Sequence, residues 1–262
     1  MAPESPEQIW QAFLLMQPRL FGCFLWPGIL GPKMAGGLLV RGGVVLGLGL
    51  FLVPVALAAP VLPAHPGAAG VALIIAKELF LGFLVGFGVN LPLMVMSAVG
   101  SMIDNQRGAT IMESLNPLTE NQDSPLGDLF SQGIIAVFFS TGIFLVFLDG
   151  LYMSYLTWPV YSYVPRFDGH LVELALNWFS LFARMVLLLC SAVFIAIFLP
   201  DMGLALLNRI APRMNVFILS LSVRSMVALA VLCLYASLLY THGAALWKDV
   251  GGLVEQVFGR GP

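Results

Sequence analysis

Six apolar runs, most of them about twenty residues or longer, follow one another along this 262-residue chain. A helix rises about 1.5 Å per residue and the hydrocarbon core of a bilayer is about 30 Å thick, so runs of this length are long enough to cross it. In lipid every backbone donor and acceptor must be satisfied within the protein, which leaves helices as the form these runs take. They fall at about 9–30, 38–59, 71–103, 129–148, 171–199 and 216–240. Pro18 and Pro27 break the first, and Asn90 and Pro92 interrupt the third. Gly42, Gly43, Gly47 and Gly49 give the second small-residue packing surfaces. The fourth continues into an aromatic stretch, 152–163, and the last two read as a helical hairpin joined by 201–215. The expected fold is all-α and polytopic, with broken helices and a C-terminal hairpin.

Composition sets the class. Hydrophobic residues make up 59% of the chain and charged residues 10%, against about 45–50% and about 25% in ordinary soluble domains. Too few polar side chains remain to cover a soluble globule. A net charge of −2 excludes a nucleic-acid binder that works by backbone attraction. Cys23, Cys190 and Cys233 stand alone in apolar surroundings and form neither a disulfide framework nor a zinc spacing. The acidic start, Met1 to Glu7, has no positive region, so no cleaved signal is expected. Lys33, Arg41, Arg107, Arg209 and Arg213 lie in odd-numbered links, against Arg166, Lys248 and Arg260 opposite, which favours odd links in the cytoplasm.

Charges interrupt the apolar runs at Arg19, Lys77, Glu78, Asp149, Arg184 and Arg224. Each is costly in hydrocarbon unless it pairs with another group or lines an aqueous path. Adjacent helical residues point about 100° apart, so Lys77 and Glu78 are expected to neutralise each other poorly. Partners in other helices or subunits, or a substrate or proton pathway, would account for them. Lys77, Glu78, Arg184 and Arg224 are the expected buried assembly charges.

Catalytic signatures are absent: no GxSxG, HExxH or phosphate-binding glycine loop occurs, and no enzyme is indicated. His65, His170 and His242 are isolated, and Asp104, Glu113, Glu120, Asp123 and Asp128 match no calcium loop. No cofactor or metal site is expected. The informative stretch is 100–127. It joins amides and hydroxyls at turn-forming positions, Asn116-Pro117 and Ser124-Pro125, to sealing apolar side chains such as Met102, Ile111, Met112 and Leu115. A stretch of this mixed character survives at membrane depth only if protein surrounds it or it lines a cavity.

Ile103-Asp104-Asn105-Gln106-Arg107-Gly108, Leu115-Asn116-Pro117 and Ser124-Pro125-Leu126-Gly127 resemble the T component family of the type III secretion export apparatus (SctT, or YscT/SpaR/HrcT), whose flagellar counterpart is FliR. Ser154-Tyr155 with Trp158-Pro159, and Asn208 to Pro212 followed by Met214 to Phe217, extend the resemblance over nearly the whole chain. The Asp-Asn-Gln-Arg-Gly form is closer to the injectisome branch. Ser222-Val223-Arg224 and Arg213 depart from the family pattern.

The resemblance implies a multi-pass protein of the bacterial inner membrane, partly raised toward the periplasm. One copy would assemble with R and S subunits, and with a U-type switch protein, into a helical export gate for unfolded secreted substrates. Residues 1–102 would be an R-like part, 103–128 a plug-like loop, 129–170 the fourth helix and aromatic link, 171–245 an S-like hairpin and 246–262 a tail. Asp104, Asn105, Gln106 and Arg107 would anchor the loop and Ile111, Met112 and Leu115 would contribute to its seal, with Gly108, Asn116 and Pro117 in the same loop, whose plug lies at 106–123. A secondary transporter of small solutes, favoured by the broken third run, and the flagellar gate stay open as alternatives.

Overall fold

The computed structural model describes residues 6–25, 38–58, 67–109, 124–162, 171–210 and 216–258. Among them there are seven helices and no strand: α1 (Pro6–Cys23), α2 (Leu38–Ala58), α3 (Ala68–Arg107), α4 (Pro125–Ser140), α5 (Ile143–Thr157), α6 (Leu171–Ile210) and α7 (Val216–Phe258). The chain is all-α, as its apolar runs require. By length and composition α3, α6 and α7 can each cross a membrane, and α4 with α5 can do so as one bent pair.

Helix ends follow local chemistry. Gly67 opens α3 by accepting the amides of Gly70 and Val71 at 2.8 and 3.2 Å. Gly108, at φ 82°, closes it in the left-handed conformation that glycine adopts without a Cβ penalty. A second left-handed glycine, Gly142 at φ 76°, separates α4 from α5. The fourth apolar run is therefore two helices rather than one.

The third run is not broken. Pro92 sits inside a continuous α3, and the Asn90 side-chain amide donates to the Gly86 carbonyl at 2.7 Å, adding a local bond beside it. The helix also runs past Ile103, because Asp104 and Arg107 form an i,i+3 ion pair on its last turn. Likewise α6 passes Asp201, and α7 passes His242 where a separate tail was expected.

The chain forms two compact units, neither continuous in sequence. One comprises residues 1–91, 141–175 and 250–262. Its buried side chains include Met16, Leu20, Ile74, Leu81, Leu151 and Tyr155, with Phe24 edge-on to Phe147 at 6.0 Å. The other comprises 92–140 and 176–249 and buries Met96, Val99, Ile134, Phe138, Val193 and Leu239. There Phe138 lies 5.1 Å from Trp247, and Phe130 is edge-on to Tyr240 at 6.4 Å.

Candidate functional site

At the foot of the polar stretch, Asp104 is fully buried and joins residues on both sides of it. Its Oδ1 accepts from Arg107 Nε, at 2.7 Å. Its Oδ2 accepts from the Ser124 hydroxyl and from the Leu126 amide, the latter at 2.9 Å. Ser124 Oγ in turn accepts from Gly127 N at 2.9 Å. The first amides of α4 are thus capped by a serine hydroxyl three residues upstream and a carboxylate from α3. An anion at a helix N-terminus also meets the favourable end of the peptide dipoles. Pro125 occupies the first helical position, where its missing N–H costs nothing.

The same junction brings backbone onto backbone. A Cβ at Gly100 would collide with Gly127 N and Cα, so the two glycines let α3 and α4 cross in direct contact. Gly108 is buried, whereas Asn105 and Gln106 expose their side chains. Of the residues expected to anchor the stretch, the structure joins Asp104 to its far end, and Arg107 to Asp104. Ile111, Met112, Leu115, Asn116 and Pro117 lie outside the described residues.

In the other unit Arg19, Lys77 and Glu78 meet. Arg19 and Glu78 are fully buried, and Arg19 Nε and Nη2 donate to Glu78 Oε2 and Oε1 at 2.7 and 3.0 Å. Arg19 Nη1 donates to the Ser154 carbonyl at 2.7 Å, and Nη2 to the Trp158 carbonyl at 2.9 Å. The guanidinium also stacks over Tyr155, 4.1 Å from the ring centre, whose hydroxyl donates to the Met16 carbonyl at 3.0 Å. Lys77 lies 2.7 Å from Glu78 Oε1 and donates to the carbonyls of Pro159, Val160 and Ser162 at 2.8–3.1 Å.

The expected poor pairing of Lys77 with Glu78 is thus overturned. Their Cβ directions do differ, but long side chains converge on one carboxylate when a turn of carbonyls draws the ammonium inward. Two cations face one carboxylate, and five carbonyls at and beyond the C-terminal end of α5 complete the balance. That end carries the negative pole of the helix, which favours both cations. The cluster has no nucleophile–base geometry. Its chemistry is to fix the 158–162 turn against α1 and α3.

A glycine seam lies beside it. Added Cβ atoms at Gly82 and Gly86 would strike the carbonyls of Arg19 and Cys23, and one at Gly22 the Leu79 carbonyl. The sequence expectation of small-residue packing fell on the glycines of α2, and the close approach is made instead at Gly82 and Gly86. The signal was present as Gly82-Phe-Leu-Val-Gly86, a small-xxx-small spacing. In α2, Gly42, Gly43 and Gly47 meet nothing within 4 Å, while Gly49 packs on the Gln17 amide.

The remaining charges are placed differently from one another. Arg224 pairs with Asp201 at 2.6 Å across α6 and α7, both partly exposed, so the departure at 222–224 supplies an ion pair within the hairpin. Arg184 is exposed on α6. No group of three or more His, Cys, Asp or Glu able to hold a metal ion occurs among the described residues.

Residues 10–250 match the family described as bacterial export proteins, family 1. The Yop proteins translocation protein T of Yersinia pestis is 36% identical over 232 residues, 88% of this chain and 88% of that protein. The surface presentation of antigens protein SpaR of Shigella sonnei is 34% identical over 63% of this chain and 62% of its own. The flagellar biosynthetic protein FliR of Bacillus subtilis is 24% identical over 63% and 64%.

Proposed function

Because the chain belongs to family 1 of the bacterial export proteins, we propose that it is the T subunit of a type III secretion export gate. In this reading one copy joins several R and S subunits, with a U-type switch protein beside them. Together they form the inner-membrane pore through which unfolded substrates leave the cytoplasm. Residues 1–102 are its R-like part and 171–245 its S-like hairpin. The higher identity and wider coverage of the Yop protein than of the flagellar one support the injectisome branch.

One observation carries the assembly reading. Large apolar side chains stand exposed along the whole of α6, from Val172 through Phe179, Ile195 and Leu199 to Ile210. Its 40 residues span about 60 Å, and even a tilt of about 40° leaves about 46 Å along the normal. The hydrocarbon core covers about 30 Å. Lipid therefore cannot cover these side chains from end to end, and water is a poor solvent for the rest. Partner helices are the remaining cover, which suits a subunit partly raised out of the membrane plane.

The segment 106–123 is the plug of the resting pore in this reading, with Ile111, Met112 and Leu115 contributing yielding apolar contacts. The capped junction at Asp104 supports it, since a plug that moves needs a base that does not. Energy for transport comes from other components, and no catalytic step is assigned to this chain.

Co-expression with R and S subunits tests the proposal. A defined particle containing one copy of this chain is expected. A stable monomer that stays outside every particle, or solute uptake into liposomes by the chain alone, would overturn it.

A further inference from the structure

The outward face of α5 presents one carboxylate in an apolar field. Leu145, Val146, Met153 and Leu156 are each between 54% and 72% exposed, and Asp149 and Gly150 are exposed among them. At 100° per residue these six positions fall within an arc of about 140°, a single face of the helix. Its opposite side buries Phe147, Leu151 and Tyr155. Asp149 is the one charged residue of α5, sits near its middle, and makes no ion pair or hydrogen bond among the described residues. Nothing lies within 4 Å of where a Gly150 Cβ would stand.

We infer that this face docks an apolar helix of a partner subunit carrying a lysine or arginine against Asp149. The inference rests on the reading of the chain as one subunit of a larger assembly and adds the chemistry of one contact. Lipid would satisfy the four large side chains and strand the carboxylate. Water would satisfy the carboxylate and leave the apolar face uncovered. An apolar helix with one cation satisfies both, and the missing side chain at Gly150 lets its backbone approach beside the carboxylate. A cation there forms a charge-assisted bond that a neutral donor does not match.

The test uses the chain assembled in membranes, with a photo-cross-linking residue in place of Val146 or Met153. The expected adduct maps to an apolar helix of another subunit, within about one turn of a lysine or arginine. Asp149→Lys should lower recovery of that subunit on the order of tenfold or more, and Asp149→Asn less. Reversing the charge of the mapped residue should restore binding to Asp149→Lys. Because Asp149 is exposed, melting of the isolated chain in detergent should be unchanged by either substitution.

Adducts to lipid alone or to a second copy of this chain would overturn the inference, as would normal partner recovery with Asp149→Lys. Those results leave the export-gate reading standing. Failure of the unsubstituted chain to join any particle would overturn both.

Discussion

Arg19 and Glu78, 59 positions apart, close a two-bond ion pair with both side chains wholly withdrawn from solvent. Lys77 and four backbone carbonyls of the link after α5, together with that of Ser154, surround the pair. Breaking a buried pair leaves an uncompensated charge and costs about 3–5 kcal/mol. Glu78→Gln, which leaves both cations without their carboxylate, should therefore lower the melting temperature of the isolated chain sharply. Arg19→Met should lower it less, because Lys77 still pairs with Glu78. Arg19→Lys should recover only part of the loss, because an ammonium cannot span both carboxylate oxygens and two carbonyls at once. Melting like the unsubstituted chain for Glu78→Gln would show that the pair contributes nothing.

At the other unit's junction, Ser124→Ala removes one cap of α4 and should cost about 0.5–2 kcal/mol. Asp104→Ala removes the second cap and the Arg107 pair as well, so its effect should be larger. Hydrogen exchange at the Leu126 and Gly127 amides is the measurement. Both should exchange faster in the variants, while amides in the middle of α3 stay protected.

Gly82→Ala and Gly86→Ala should destabilise the chain, since each new methyl collides with a backbone carbonyl of α1 that has no rotamer by which to yield. Gly42→Ala and Gly47→Ala, which meet open space, should stabilise α2 by about 0.5–1 kcal/mol in the isolated chain. Thermal melting of the four variants in one detergent tests the contrast, and the same sign for all four would refute it.

Thiol labelling reports burial independently. Cys23 is buried at the end of α1, shielded from solvent by the packing around it. The reagent must reach the sulfur, so at pH 8 Cys23 should resist iodoacetamide in the folded chain. Cys233 is exposed and should react. Replacing Cys233 by Ser should remove the fast phase, and denaturation should expose Cys23.

Deleting residues 110–121 should raise the resting conductance of membranes holding the assembled gate to small ions, read as current or dye leak. Unchanged conductance with normal secretion would remove the plug from the proposed mechanism while leaving the family assignment intact.

The apolar runs were enough to establish an all-helical protein, because run length against bilayer thickness is a one-dimensional property. The same holds for the mixed polar and apolar character of 100–127, whereas Ser124-Pro125 was legible as a turn and not as the start of α4, which the sequence put at 129. Proline and glycine were less legible as breaks. Pro18 and Pro92 each sit within a continuous helix, while Gly142 ends one by taking a positive φ, and neither outcome follows from residue type alone. Asp104 could be singled out, but not its partners 20 and 22 positions away.

Tertiary structure alone decided how the charges within the apolar runs are resolved. Nothing in the order of residues joins Arg19 to Glu78, or turns Lys77 toward Pro159, Val160 and Ser162. Those contacts exist because glycines at 82 and 86 let α1 lie directly on α3, within reach of the end of α5. Charge pairing falls off over a few ångströms of space, and space between distant segments is set by packing. The sequence by itself determined that these charges needed partners; the fold chose them.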